Sequence, residues 1–374
     1  MMNRQKIKKD FFTFDDVMHA YMQCRRHKRN ALSSIEFERN FVPKLMKLTD
    51  EINAHKWHPG RYKCFPVLHP RLREIWAAPF KDRIIHHLIH NELQNEFEKH
   101  YIDQSYSCIR GRGTTKCIRD AFRGCRSITK NFTGEAFYIK LDIKSFFVSI
   151  KKDILWDIVR QRVDENCLLG ELVKTVMFHD ITKNPRIVHP NLLKRVPSHK
   201  SLFDNNYEKQ GLPIGNLTSQ FFSNIYLDGL DQYCKHDLKL KYYYRYADDI
   251  LILIPDSKVA NNIVSKINAW LLKNRGLKIN QDKTIINRIR LGVKFLGGRL
   301  FYHYKIPSNL TFEKIKVSAN KFKRNIFSQK LFATANSYLG VGSVYNIRAF
   351  CARILDKNRL DLIYDNDGKK IFYL

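Results

Sequence analysis

The order of extended and helical segments predicts an α+β fold built on a split strand–helix–strand–strand–helix–strand core. Two observations carry that expectation. Residues 137–143, Phe-Tyr-Ile-Lys-Leu-Asp-Ile, read as a strand ending beside an acid. Further on, Tyr242-Tyr243-Tyr244-Arg245-Tyr246 and Ile250-Leu251-Ile252-Leu253-Ile254 flank Ala247-Asp248-Asp249 as the arms of a hairpin. Between the two, the turn Gly211-Leu212-Pro213-Ile214-Gly215 opens a helix from Asn216 to about His236, with Asn216 as its cap. After the hairpin, a helix from Ser257 to Asn274 is stopped by Gly276 and followed by a short strand, Leu277 to Asn280. This order is the ferredoxin-like pattern.

The remaining elements follow from periodicity and breakers. Residues 1–60 read as helical, with a basic knot at Arg25-Arg26-His27-Lys28-Arg29 and a stop at Pro59-Gly60. Residues 61–77 look extended. Lys81 to His100 reads as an amphipathic helix through Ile84, Ile85, Leu88, Ile89, Leu93 and Phe97. Arg110-Gly111-Arg112-Gly113 precedes a helix that Thr114 or Thr115 can cap, with Ile118, Ala121, Phe122 and Cys125 on one stripe. A helix is expected from about Asp153. Residues 164–209, punctuated by Pro185, Pro190 and Pro197, read as a long irregular insertion. A last short hairpin centres on Gly297-Gly298, and residues 308–361 look helical.

Composition narrows the function. The 374 residues hold 66 Lys and Arg against 36 Asp and Glu, a formal charge of +30, and such an excess is tolerated when the working partner is a polyanion. Nucleic acid is the first expectation. No apolar run approaches the roughly 18 residues of a spanning helix, and the basic start (Arg4, Lys6, Lys8, Lys9) is followed by Asp10 rather than an apolar core, so a cytoplasmic protein is expected. The eight cysteines contain no Cys-x-x-Cys pair, which argues against both a zinc ribbon and a disulfide framework. His86 and His90 share a helix face beside His87, yet no third ligand with metal spacing accompanies them.

The split pattern brings Asp142 to the end of its strand and Asp248-Asp249 to the adjacent hairpin turn. Converging acids inside a basic protein need a compensating charge, and hard divalent cations with oxygen ligands supply it. Two magnesium ions, which manganese can replace, are expected about 3.5–4 Å apart for in-line phosphoryl displacement. Nucleotidyl transfer is the expected reaction class.

These motifs resemble those of reverse transcriptases over roughly residues 60–300. Tyr138-Ile-Lys-Leu-Asp142-Ile-Lys-Ser-Phe-Phe147 is similar to the family's first metal-binding motif, and Tyr246-Ala-Asp248-Asp249 to its Tyr-x-Asp-Asp box. Leu277-Lys-Ile-Asn-Gln-Asp-Lys283-Thr resembles the lysine motif, and Lys294-Phe-Leu-Gly-Gly298 the primer grip. The resemblance implies a right-hand polymerase: a helical N-terminal extension at 1–60, fingers at 61–136, a palm at 137–304 that includes the 164–209 insertion and a fingers/palm motif at 210–236, and a helical thumb at 305–374. It also implies site roles. Asp142 and Asp248 would ligate the metals with the backbone carbonyl of Ile143, Asp249 would complete the cluster, and Lys283 would serve the triphosphate or protonate pyrophosphate. Phe147 would be the gate against a ribose 2′-hydroxyl, while Arg73 and Arg83 would contact the incoming triphosphate, a task suited to a guanidinium.

One departure narrows the branch. Where the family usually has Gln before the glycine and Ser-Pro after it, this chain has Ile214 before Gly215, and Ser219-Gln220 follows. Gly211-Leu-Pro-Ile-Gly-Asn-Leu-Thr-Ser-Gln220 and Ala78-Pro-Phe-Lys-Asp-Arg-Ile-Ile-His-His87 resemble the reverse transcriptases of diversity-generating retroelements and of related antiphage-defence systems. That likeness implies error-prone copying, or synthesis from the enzyme's own noncoding RNA. The expected partners are a structured template RNA, a DNA or RNA primer, deoxynucleoside triphosphates and a small accessory protein. The 77 residues after Gly297 are enough for a thumb and too few for a nuclease domain. The 301–374 tail, with 13 Lys and Arg against 5 Asp and Glu, is expected to grip the nucleic-acid backbone. A catalytically dead RNA-binding scaffold and a metal-dependent nuclease are the competing classes; intact acids oppose the first, and Phe147 with the ordered motifs opposes the second.

Overall fold

The computed structural model describes residues 6–26, 28, 31–68, 71–310, 312–314, 317 and 344–345. In chain order the helices and strands are α1 (Phe14–Arg25), α2 (Leu32–Glu38), α3 (Phe41–Asn53), β1 (Lys63–Val67), β2 (Arg73–Ala77), α4 (Phe80–Glu98), α5 (Thr114–Ile128) and β3 (Phe137–Asp142). Next come α6 (Phe146–Ser149), α7 (Lys152–Val159), α8 (Leu168–Phe178), β4 (Arg186–Ile187), α9 (Pro190–Leu193) and α10 (Leu217–Gln232). The last are β5 (Tyr242–Tyr246), β6 (Asp249–Ile254), α11 (Ala260–Arg275), β7 (Ile285–Arg288), β8 (Val293–Phe295), β9 (Gly298–Leu300) and β10 (Lys305–Pro307). They fall into two compact units, one of residues 1–103, 143–237 and 266–279, the other of residues 104–142, 238–265 and 280–374. No helix among the described residues is long and apolar enough to cross a membrane.

The second unit holds an antiparallel sheet in the order β5-β6-β3-β7. Numbered by sequence, that is 2-3-1-4, the ferredoxin-like order. Every residue of Ile250–Ile254 is buried, so β6 is a continuous apolar run in the sheet centre. Helix α5 closes one sheet face with Cys117, Ile118, Ala121 and Cys125 against Tyr138, Tyr244, Leu251 and Leu253. A Cβ at Gly124 would collide with the Tyr244 hydroxyl, so glycine sets how closely helix and sheet approach. Beyond β7, β8-β9-β10 form a small antiparallel sheet, one strand more than the expected hairpin.

Three local expectations are corrected. The fourth strand of the large sheet is Ile285–Arg288, not Leu277–Asn280, which forms a lone bridge between Ile279 and Ile143. The Asn280 N–H bonds the Asp142 carbonyl at 2.8 Å, but the chain then turns through a 3₁₀ segment at Gln281–Lys283, and regular pairing with β3 is made by Ile285–Arg288. Neither Thr114 nor Thr115 caps α5: Gly113, at φ +133°, occupies the cap position with no side-chain bond. Asn216 does occupy the cap of α10, but its carboxamide oxygen accepts from the Ala78 N–H at 3.4 Å instead of closing the helix end.

The first unit overturns the irregular-insertion expectation. Within 164–209, α8 buries Leu168, Leu169, Leu172, Val173 and Met177, and β4 adds a parallel strand beside β1 of the β1–β2 hairpin. Pro190 starts α9 and Pro197 caps a 3₁₀ turn, so the prolines punctuate structure rather than exclude it. The buried Glu74 carboxylate fastens the segment, accepting from the Leu202 N–H at 2.5 Å, the Ser201 hydroxyl at 2.9 Å and the Trp76 indole at 3.0 Å. The helical N-terminal region, the extended 61–77 stretch and the helix near 81–100 appear as α1–α3, β1–β2 and α4. Apart from β10, the expected thumb and its cationic tail lie almost wholly outside the described residues.

Lys152 gives the first unit a pH signature. Its side chain is fully buried, its ammonium lies 3.5 Å from the Tyr207 ring centroid, and it has no hydrogen-bond partner among the described residues. Burial pushes its pKa down to about 7, partly offset by Asp180 and Glu208. A folded-state value below the unfolded one means stability rises as pH climbs from about 7 to about 10.5 and is lost on the way down. Lys152→Met is therefore expected to unfold later than the unmodified chain at pH 7 and below, by a few kcal/mol on the order of 1.4 per pKa unit, with the gap closing toward pH 10; chemical denaturation across pH checks it.

Candidate active site

The strand register builds the acidic site. Asp142 ends β3, Asp249 begins β6, and the two are direct cross-strand partners. Cross-strand neighbours lie about 4.5–5.5 Å apart, and like charges in that position repel. The hairpin β5–β6 pairs Tyr246 with Asp249, leaving Ala247 and Asp248 as a two-residue connection. Asp142, Asp248 and Asp249 are thus gathered at one end of one sheet.

Nearby cations and amides answer the charge. Lys283 Nζ donates to Asp142 Oδ2 at 2.5 Å, and Asn280 Nδ2 reaches the same oxygen at 3.4 Å. Lys140, two residues before Asp142 on the same strand face, places its ammonium 3.4 Å from Asp249 Oδ1. Asp248 has no such partner among the ion pairs of the described residues. Burial pushes its pKa up to about 6, with the charges of Asp249 and then Asp142 adding to the rise and Lys283 opposing it.

The turn is held from behind by a residue the motif reading missed. Arg245 is completely buried; it donates from Nη1 to the Ala247 carbonyl at 3.1 Å and from Nη2 to Ser105 Oγ at 2.9 Å. Its backbone also exchanges bonds with 104–106, taking the Gln104 carbonyl and giving its own carbonyl to Tyr106 N–H. Ala247 sits at φ +53°, in the left-handed region that costs a non-glycine residue about 1–2 kcal/mol. The guanidinium grips the carbonyl of that strained residue. A charged side chain in an otherwise aromatic arm, Tyr-Tyr-Tyr-Arg-Tyr, was the available signal. Lys140 and Asn280 carried none.

The donor set suits a divalent cation: hard carboxylate oxygens, one half-buried and raised in pKa, and more negative charge than two lysines neutralise in hydrogen-bonding geometry. Among the described residues no three His, Cys, Asp or Glu side chains stand as a ready-made cage, and Lys283 and Lys140 lie against Asp142 and Asp249. His86 is enclosed, with Nδ1 2.5 Å from Thr218 Oγ1 and Nε2 3.2 Å from the Tyr62 hydroxyl, and burial lowers its pKa to about 3.

The other expected site residues lie in the first unit. Ile143 is buried. The 211–215 turn is pinned at both ends, since Leu212 N–H donates to the Phe147 carbonyl at 2.7 Å and Trp76 N–H to the Ile214 carbonyl at 2.8 Å. Gly215, at φ +124°, passes so near β2 that a Cβ would sit 2.8 Å from the Trp76 carbonyl. Phe147, Ile214, Gly215 and the strand that begins at Arg73 therefore form one neighbourhood. Phe147 is half-buried and packs edge-on to Phe146 at 5.2 Å. Arg73 and Gln220 are exposed. Arg83 is tied by Nε to the Ala78 carbonyl at 2.8 Å, at the start of α4 rather than on β2.

Comparison with known proteins gives a consistent identity. Residues 70–300 match the family described as Reverse transcriptase (RNA-dependent DNA polymerase). A putative COX1/OXI3 intron 2 protein of Saccharomyces cerevisiae is 23% identical over 343 residues, covering 75% of this chain and 37% of its own length. Protein YkfC of Escherichia coli is 23% identical over 294 residues, covering 68% of this chain and 71% of its own. The chain thus spans little more than a third of the yeast relative. A solved telomerase of Candida albicans, in complex with a fragment of telomeric RNA, is 15% identical with a TM-score of 0.43, covering 81% of this chain and 55% of that one. The matched stretch takes in the strand that ends at Asp142 and the hairpin of Asp248 and Asp249, and it is well over half of the sequence: the chain belongs to the reverse transcriptase family, an α+β fold of the right-hand polymerase class.

Proposed function

We propose that this chain is an RNA-directed DNA polymerase that copies a structured RNA into DNA by two-metal nucleotidyl transfer, extending a DNA or RNA primer with deoxynucleoside triphosphates. The observation that carries the reading is the in-register pair Asp142–Asp249 beside the raised carboxyl of Asp248, in a chain of this family.

Asp142 and Asp248, with the Ile143 carbonyl, are the proposed holders of two magnesium ions, manganese being an alternative, and Asp249 completes the acidic cluster. When bound, such ions activate the primer hydroxyl and steady the leaving pyrophosphate. Lys283, which donates to Asp142, is proposed to neutralise or protonate the leaving group. Arg245 and Lys140 keep the turn and the facing strand in place. Arg73, with an exposed guanidinium and no ion pair among the described residues, is the proposed ligand of the triphosphate, and Arg83 is the weaker candidate because its Nε is already used. Phe147 is the proposed gate against ribonucleotides; Ile214, Gly215 and Gln220 are proposed to line the nucleotide and template.

The finer proposal concerns selectivity. Ile214 offers no hydrogen bond from its side chain where a glutamine amide is usual, which supports error-prone copying of the diversity-generating kind. The same motifs fit a defence enzyme that copies its own noncoding RNA with a small accessory protein, and sequencing the DNA made in cells separates a mutated copy of a target gene from a repetitive or RNA-encoded product.

Asp248→Asn keeps the shape of the turn and removes a metal-binding oxygen. Primer extension should fall by at least about 100-fold with the melting temperature unchanged or raised; extension at the normal rate refutes the assignment, and cleavage of nucleic acid without nucleotides would favour a nuclease. Phe147→Val should raise ribonucleotide incorporation relative to deoxynucleotide by about tenfold or more in single-nucleotide insertion assays. For Ile214→Gln, sequencing of copied products should show fewer misincorporations, and an unchanged error spectrum removes the fidelity proposal.

A further inference from the structure

The second unit carries a line of cations that the chemistry above does not use. Lys116, Arg119, Arg123 and Arg126 are all exposed on α5, at spacings of three, four and three residues, so they form one stripe along the helix. Lys130 continues it just past the helix end. The opposite face of α5 is locked into the core by Cys117, Ile118, Ala121 and Cys125, which makes the stripe a rigid ridge. At 1.5 Å per residue the four helical cations span about 15 Å, one every 5 Å or so.

Little among the described residues neutralises this line. Asp120 is the one acid on α5, and Lys116 at 3.0 Å and Arg123 at 3.5 Å share it while it also accepts from the Tyr106 hydroxyl at 3.0 Å. Arg126 meets the neutral carboxamide of Asn131 at 3.1 Å. Arg119 and Lys130 have no carboxylate partner among the described residues. Instead Arg119 lies near another cation, Lys305 of β10, which packs over the Phe122 ring at 5.3 Å and whose pKa is lowered by burial and by Arg119. Like charges at helical spacing repel, so the folded chain holds this row against its own electrostatics. A ligand with regularly spaced negative charge relieves that repulsion.

We infer that the α5 ridge is a docking track for the phosphate backbone of an RNA strand, separate from the carboxylate site. The spacing is of the same order as the step between charges on a nucleic-acid strand, and a rigid helix gives a straight rail. The first turn of α5 lies near the acids, since Asp249 is among the charges that push the buried Cys117 thiol up. The choice of RNA as occupant rests on the polymerase reading; the ridge itself rests on the charge pattern.

The test uses the full chain with Arg119→Gln, Arg123→Gln and Arg126→Gln combined, and as control Lys258→Gln, Lys266→Gln and Lys273→Gln, three exposed cations elsewhere. Binding of a labelled structured RNA is followed by fluorescence anisotropy across a salt series, alongside extension of a primer on a template too short to reach along the helix. The ridge variant should bind about tenfold or more weakly, and its log K against log salt slope should be shallower by about 2. The control should bind nearly as the unmodified chain, and extension on the short template should be unchanged for both. Unchanged affinity and slope in the ridge variant, an equal loss in the control, or a loss seen with a DNA strand but not with RNA would overturn the inference. Absence of extension by the unmodified chain counts against the polymerase reading alone, because RNA binding is read independently.

Discussion

Two carboxylates placed opposite each other across adjacent strands govern this protein. The pairing of Asp142 with Asp249 is unfavourable by itself, and the surrounding residues are arranged to bear it. Lys283 and Asn280 converge on Asp142, Lys140 reaches diagonally to Asp249, and Asp248 is pushed up to about 6, first by burial and then by the charges of Asp249 and Asp142. Among the described residues, Lys283 and Lys140 are the cations within ion-pair distance of this row of acids. The buried Arg245 belongs to the same arrangement, since it holds the turn that presents Asp248 and anchors it to residues 104–106.

The first unit solves a different problem, which is how to present a glycine turn at a fixed place. Trp76 and Phe147 hold the two ends of 211–215 through main-chain bonds, and Gly215 lets that turn lie against β2 where a side chain would meet backbone. The segment 164–209 stiffens the same strand through Glu74, a buried acid fully engaged by Leu202, Ser201 and Trp76. What looked like a loop is therefore part of the support for the turn and for Arg73, the first residue of β2. The positive charge of the chain is likewise structured, with α5 concentrating exposed cations on the face opposite its apolar one.

Much of this was legible in the sequence. The hairpin, the strand before Asp142 and the ferredoxin-like order follow from alternation, apolar runs and glycine stops, all of which act over a few residues. So did the gathering of Asp142, Asp248 and Asp249, because strand order limits where strand ends can go. The misread places are those where a distant partner outweighed local preference. Asn216 turned its amide to Ala78 rather than to its own helix, and Leu277–Asn280 pairs only through the lone Ile279–Ile143 bridge while Ile285–Arg288 takes the place beside β3.

The sequence alone determined which residues are chemically able to act and in which elements they lie: hydrophobic periodicity and turn chemistry are local, and they are written into neighbouring residues. Tertiary structure decided the partners. Lys283 meets Asp142 across 141 positions and Glu74 meets Leu202 across 128, and no periodicity encodes such a pairing. Those contacts exist because folding removes water from charged and polar groups, and each must then find compensation from whatever the packed chain brings within reach.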